Sequence, residues 1–116
     1  MTGFWYLGSP YSKYPGGRAM AHMEVCRNVA LLIKAGVHVY SPIAHTHPVA
    51  EFGNINPFDH DIWLPADQPL MDAAKGLIVL QLDGWDNSFG LQCELDEFTQ
   101  RPVVYMEPGV VPEGLT

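Results

Sequence analysis

Apolar residues along this chain fall into two rhythms. Short, nearly unbroken runs at Phe4-Trp5-Tyr6-Leu7, Val37 to Tyr40, Leu77 to Leu82 and Val103 to Met106 read as strands of the kind a parallel sheet buries on both faces. Between them the spacing becomes helical. From Arg18 to Ala35 apolar residues recur at Ala19, Met23, Cys26, Ala30 and Ile33, and these alternating steps of four and three mark one face of a helix. Val25, Val29 and Leu32 widen that face, and Gly36 is placed to cap the end. A short helix is expected from Pro65-Ala66-Asp67 to about Lys75, with Pro at the first turn, where its missing N–H is tolerated. Another is expected from Phe89 to Gln100, with Leu91, Leu95 and Phe98 as its apolar stripe and Glu94 off the centre of that stripe.

The alternation predicts an α/β fold: a doubly wound, mostly parallel, four- to five-stranded sheet with helices on both faces, flavodoxin- or Rossmann-like. Val110-Val111 is the candidate fifth strand. Ile43 to Leu64, with His45, His47, Trp63 and two prolines, reads as an irregular stretch, and a loop that long in a small domain is usually functional. The tail from Glu107 is rich in Pro and Gly. With 116 residues, 47% of them hydrophobic, residues 1–116 make one domain around one core.

Charge narrows the partners. A formal net charge of −7 with six Lys and Arg argues against nucleic-acid polymers, while a single phosphate can still be held by backbone N–H groups and one Arg. The two cysteines, Cys26 and Cys93, lack CxxC spacing and read as reduced thiols of a cytoplasmic protein. No apolar run approaches the length of a membrane span, and the N-terminus lacks the pattern of a signal peptide.

The turn Asp83-Gly84-Trp85-Asp86-Asn87-Ser88 follows the carboxyl end of the Leu77 to Leu82 strand. In open α/β sheets ligands bind there, where the next helix presents unpaired N–H groups. Ser88, Gly90 and Glu94 therefore stand where a small anion and a nucleophile can meet. Each candidate also has a plainer reading. Glu94 resembles a solvated carboxylate beside Asp96 and Glu97, Tyr6 a core aromatic, and Asp67 a carboxylate favoured by a helix dipole. His45-x-His47 is too little for zinc without a Cys cluster or an HExxH helix, and Gly8, Gly16 and Gly17 lack the GxGxxG spacing of a dinucleotide site. No metal and no cofactor is expected. Tyr11, Tyr14, Phe58 and Trp63 either stack on a base or cover a core edge or a subunit contact.

Taken in order, Tyr6-Leu7-Gly8-Ser9-Pro10, Gly16-Gly17-Arg18, the histidine after the second strand, Asp67 with Leu70-Met71, and Ser88-x-Gly90-x-x-x-Glu94 resemble the nucleoside 2-deoxyribosyltransferase superfamily. Within it the match is to the nucleotide N-glycosidases and a branch of short phage and bacterial proteins, over nearly the whole domain. The resemblance implies that Glu94 attacks the anomeric carbon and expels the base, because an oxocarbenium-like transition state is both stabilised and captured by an adjacent carboxylate. Water or a second base then resolves the ester. By the same resemblance Asp67 serves the departing base, Tyr6 orients nucleophile and sugar, and Ser88 holds a 5′-phosphate with Gly90 allowing close approach. Gly8, Ser9, Gly17 and Arg18 complete the substrate pocket, His45 or His47 touches the substrate edge, and the assembly is a homo-oligomer, a dimer or larger. Asp96, where relatives carry a small residue, and the long Asp83 to Ser88 turn depart from the pattern. The expected activity is cleavage of the N-glycosidic bond of a nucleoside 5′-monophosphate, by hydrolysis or base exchange. The alternatives are a nucleotide-binding module without turnover and a deoxyribosyltransferase acting on free nucleosides.

Overall fold

The computed structural model describes residues 3–116. Four strands, β1 (Trp5–Gly8), β2 (Val39–Tyr40), β3 (Gly76–Leu80) and β4 (Val103–Met106), form one parallel sheet in the order β2-β1-β3-β4. Four helices connect or flank them: α1 (Arg18–Lys34), α2 (Pro42–Gly53), α3 (His60–Ala73) and α4 (Phe89–Glu97). Trp85–Asn87 form a single 3-10 turn between β3 and α4.

Successive strand residues point to opposite faces and so feed two cores. Trp5, Leu7, Ile78, Leu80 and Met106 pack with Val25 and Leu32 of α1. Tyr6, Leu77 and Val79 pack on the other side with Met71 and Ala74 at the end of α3 and with Leu91 and Phe98 from the α4 region. The fold is the doubly wound α/β sheet with helices on both faces that the alternation predicts.

Three sequence expectations are corrected. Val110-Val111 adds no strand to the four-stranded sheet. The tail instead runs over the α1 side: Leu115 is buried, its carbonyl accepts the Trp5 indole N–H at 2.9 Å, and the Gly109 amide donates to the buried Asn28 side chain at 2.8 Å.

Most of the stretch from Ile43 to Leu64 is helix, not irregular loop. Ser41 caps α2 by accepting the Ala44 N–H at 3.1 Å, with Pro42 at the start of the helix. Asp59 caps α3 by accepting the Asp61 N–H at 3.1 Å. Pro65 therefore opens nothing; it lies inside α3 with Pro69, as Pro48 lies inside α2. Each removes a rung of the hydrogen-bond ladder, so these helices owe their persistence to caps and packing and little to propensity. At the far end, Arg101 donates to the carbonyls of Met71 and Ala74 and fixes the end of α3.

The third correction concerns α1. Its core face is Ala21, Val25, Asn28 and Leu32, while Ala19, Met23, Ala30 and Ile33 are exposed. Apolar residues occupy two sides of this helix, and the polar Asn28 is admitted to the core because its amide donates to the Glu24 carbonyl and accepts from Gly109.

Candidate active site

In the strand order β2-β1-β3-β4 the chain reverses direction between β1 and β3, the switch point where open sheets leave a crevice. Ser9 follows β1, and the Asp83 to Ser88 turn follows β3. The two loops touch backbone to backbone: Gly84 has φ 94°, and a Cβ there would lie 2.3 Å from the Lys13 carbonyl oxygen. The crevice has a volume of about 680 Å³, its open mouth included. Tyr6, Ser9, Asp67, Ser88, Gly90 and Glu94 of the predicted set all line it, and Tyr11, Phe58, His60 and Trp63 form much of the remaining wall.

Glu94 is 8% exposed and shares the inward face of α4 with Leu91. The stripe expected from sequence placed it off the apolar centre; here it lies at the core edge. Gly8 makes that possible, because a Cβ on Gly8 would sit 2.7 Å from Glu94 Oε1 and 2.5 Å from a Leu91 methyl. Burial drives the Glu94 carboxyl up to about 8, against a hydrogen bond from the Tyr6 hydroxyl that favours the charged form; the nearby Asp67 charge raises it further. Tyr6 is wholly buried, and burial together with both carboxylates keeps its hydroxyl protonated. Asp67 is pushed up to about 6 by burial, with His45 pulling the other way. Between these values the two carboxyls hold one proton and one negative charge as a pair.

The crevice also holds groups suited to an anion. Ser88 caps α4, its Oγ accepting the Leu91 N–H at 3.2 Å. Its hydroxyl proton stays available, and the amides of Phe89 and Gly90 are first-turn donors that no helix carbonyl can reach. Ser9 Oγ, also in the crevice, is buried without a hydrogen-bond partner. A buried hydroxyl left unpaired costs about 1–3 kcal/mol, which a bound acceptor would recover.

The remaining predicted residues lie elsewhere. Gly17 has φ 91° at the start of α1 and Arg18 follows it; neither lines the crevice. The Arg18 guanidinium lies 6.0 Å and 5.7 Å from the ring centroids of Tyr11 and Phe58 and donates to the Tyr11 hydroxyl at 3.3 Å, so it braces the aromatic wall from behind. His47 completes that brace through a hydrogen bond to the Tyr11 hydroxyl and a stack on His22, ring centroids 4.3 Å apart. His45 is exposed and acts on Asp67 only through its field. His60 is the wall residue that sequence reasoning missed. Its signal was the Asp59 cap, since a helix from residue 60 brings His60, Trp63, Leu64 and Asp67 onto one face.

Fold and crevice define a doubly wound α/β protein with a paired-carboxyl cleft at the switch point of its sheet. The chain belongs to the family described as a domain of unknown function, DUF1937, whose profile matches residues 3–108 and so spans every strand and every residue of the cleft. No curated protein matches the chain. Among the described residues no group of three His, Cys, Asp or Glu side chains is placed to hold a metal ion, and no helix is long and apolar enough to cross a membrane.

Proposed function

We propose that this protein is an enzyme that cleaves the N-glycosidic bond of a nucleoside 5′-monophosphate, with Glu94 as nucleophile. The observation that carries the reading is one cleft lined both by the buried Glu94 and half-buried Asp67 carboxyls and by a helix N-terminus with Ser88 and the unpartnered Ser9 hydroxyl.

The reaction needs one carboxylate to attack and one proton for the departing base. The Glu94–Asp67 pair carries that inventory near neutral pH, burial favouring the proton on the more deeply buried Glu94. Substrate binding and the positive charge growing at the anomeric carbon favour ionised Glu94, and the proton moves to Asp67. Glu94 then bonds to the anomeric carbon as the C–N bond breaks, its electron pair leaves with the base, and Asp67 supplies the base with its proton. Water resolves the ester after giving a proton back to Asp67. Tyr6 holds the Glu94 oxygen through its hydrogen bond and keeps the carboxylate oriented. The aromatic wall of Tyr11, Phe58 and Trp63 offers stacking area for the base.

A second reading, a nucleotide-binding module without turnover, is favoured by the burial that holds the Glu94 carboxyl toward its protonated form. One screen separates them: incubation with a panel of nucleosides and nucleoside 5′-monophosphates, followed by chromatography for free base. Base release from monophosphates supports the enzyme. Binding without release moves the assignment to the module, and release from nucleosides alone moves it to the deoxyribosyltransferase class.

A further inference from the structure

A phosphate entering the cleft brings negative charge to a place that already holds two carboxyls, Asp67 and Glu94, on a chain with a formal net charge of −7. It needs a positive partner there. Arg18, the source expected from the sequence, is engaged behind the aromatic wall and does not line the cleft. Among the described residues that do line it there is no Lys and no Arg, and His60 is the one whose side chain can carry positive charge.

The fold brings His60 to the groups that suit an anion. His60 is the first residue of α3, and its ring lies 4.8 Å, centroid to centroid, from that of Phe89, the first residue of α4. The imidazole therefore stands beside the helix end whose first amides have no helix partner, between Ser88 and Gly90 of the cleft lining. Both rings are exposed, so they meet where the cleft opens to solvent. A Cβ built on Gly90 would meet nothing within 4 Å, which leaves room at that helix end. A separate observation points to a ligand: Ser9, 6% exposed, lines the same cleft with its Oγ unpartnered. Two hydroxyls, free amides and an imidazole N–H are all donors. An ionised phosphate is rich in acceptors.

We propose that His60 binds the 5′-phosphate of the substrate together with Ser88, Ser9 and the α4 N-terminus, and so sets the preference for phosphorylated over unphosphorylated substrates. As a neutral ring it donates one N–H, and as an imidazolium it adds the positive charge that the other lining side chains lack. The assignment rests on the monophosphate reading of the cleft.

The test is a titration followed by NMR, with ribose 5-phosphate and 2-deoxyribose 5-phosphate as probes and the unphosphorylated sugars as controls. In wild type the phosphorylated probes should move the His60 ring signals, assigned by their loss in His60→Phe, together with the Phe89 and Gly90 amides; the plain sugars should not. His60→Phe keeps an aromatic ring against Phe89 and removes the donor, so affinity for the sugar phosphates should fall by about 10- to 100-fold. His60→Lys should recover most of it. A wild type whose His60 signals ignore both sugar phosphates, undiminished affinity in His60→Phe, or a His60→Lys chain no better than His60→Phe would each overturn the role. Neither probe has an N-glycosidic bond, so the outcome is independent of base release. Affinity that follows His60 in a chain that frees no base from any nucleotide would sink the enzyme and leave the phosphate ligand standing; base release with affinity indifferent to His60 would do the reverse.

Discussion

Glu94 and Tyr6 stand on the side of a sheet whose strands β1 and β3 are buried along their whole length, whereas Phe58, in the turn between α2 and α3, and His60 and Trp63, on α3, face them from a helix pair interrupted by Pro48, Pro65 and Pro69. On the sheet side every position is over-determined. Gly8 must lack a side chain for α4 to approach, and the Tyr6 ring lies 5.8 Å from both the Tyr40 and Phe98 rings. On the helical side Phe58 is 43% exposed and is held by Arg18 and Tyr11 at ring-contact distances. The contrast separates two jobs. Shifting the acidity of a carboxyl takes dense, fixed surroundings, while gripping a flat substrate takes only apolar area in the right place. Substitutions in the sheet wall should therefore change the chemical step, and substitutions in the helical wall should change binding.

Glu94→Gln would test that division with the largest effect. It preserves shape and removes the nucleophile, so base release should fall at least ~1,000-fold while monophosphate binding persists. Turnover within tenfold of wild type would place the chemistry elsewhere. The same substitution has a stability signature. An exposed Glu ionises near 4.5 and the buried Glu94 near about 8, so between those values the folded chain holds a proton that the unfolded chain has released. Stability then falls as pH rises, by at most about 1.4 kcal/mol per pH unit. Glu94→Gln has no such proton to retain. Its melting temperature should gain on wild type little near pH 5 and most near pH 8, and a gain that is flat with pH would contradict the buried acid.

Asp67 tests the boundary between the walls, because it sits on α3 yet belongs electrostatically to Glu94. Asp67→Asn should cost ~100- to 10,000-fold on an ordinary base and much less on an activated leaving group that needs no proton. Wild-type kcat/KM should be bell-shaped, with limbs near the pair's values of about 6 and about 8. Below the lower limb both carboxyls are protonated and no nucleophile remains; above the upper limb no proton is left for the base. A flat profile over that range would break the shared-proton account.

The two walls also differed in how far the sequence exposed them. β1, β3, β4 and α4 follow from unbroken apolar runs and the turn between them, and Ser88, Gly90 and Glu94 come with that geometry because they lie within seven residues of one strand–helix junction. The helical wall was hidden by its prolines, which read as breakers although Ser41 and Asp59 are ordinary caps at the starts of α2 and α3. The orientation of α1 was hidden for another reason. Its more regular apolar stripe faces outward, and its core face contains Asn28, a residue made welcome there by the Glu24 carbonyl and the distant Gly109 amide. Periodicity reports that a face is apolar; it does not report what covers it.

Ser88→Ala is the intermediate case, since it touches the substrate end of the sheet wall without altering the carboxyl pair. Losing a charge-assisted hydrogen bond costs roughly 1.5 to 3 kcal/mol, so use of a monophosphate should drop by about 10- to 100-fold. The Ala variant also loses the cap to Leu91, a cost shared by both substrates, so the telling quantity is the ratio. A monophosphate preference that collapses supports the anion site at α4; equal losses for monophosphate and nucleoside would remove it.

The smallest effect should come from the helical wall. Phe58 lines the cleft while 43% exposed, under the Arg18 guanidinium, and it has no polar atom to take part in proton transfer. Phe58→Ala should therefore raise KM by a few-fold, in keeping with the ~0.5–1.5 kcal/mol of an aromatic contact beyond its buried area, and leave kcat and both limbs of the pH profile where they were. The KM change should also be larger for purine than for pyrimidine substrates, because a larger ring covers more of the wall. If Phe58→Ala instead lowers kcat or moves a limb, the helical wall is part of the catalytic electrostatics, and the separation between a wall that reacts and a wall that grips does not hold.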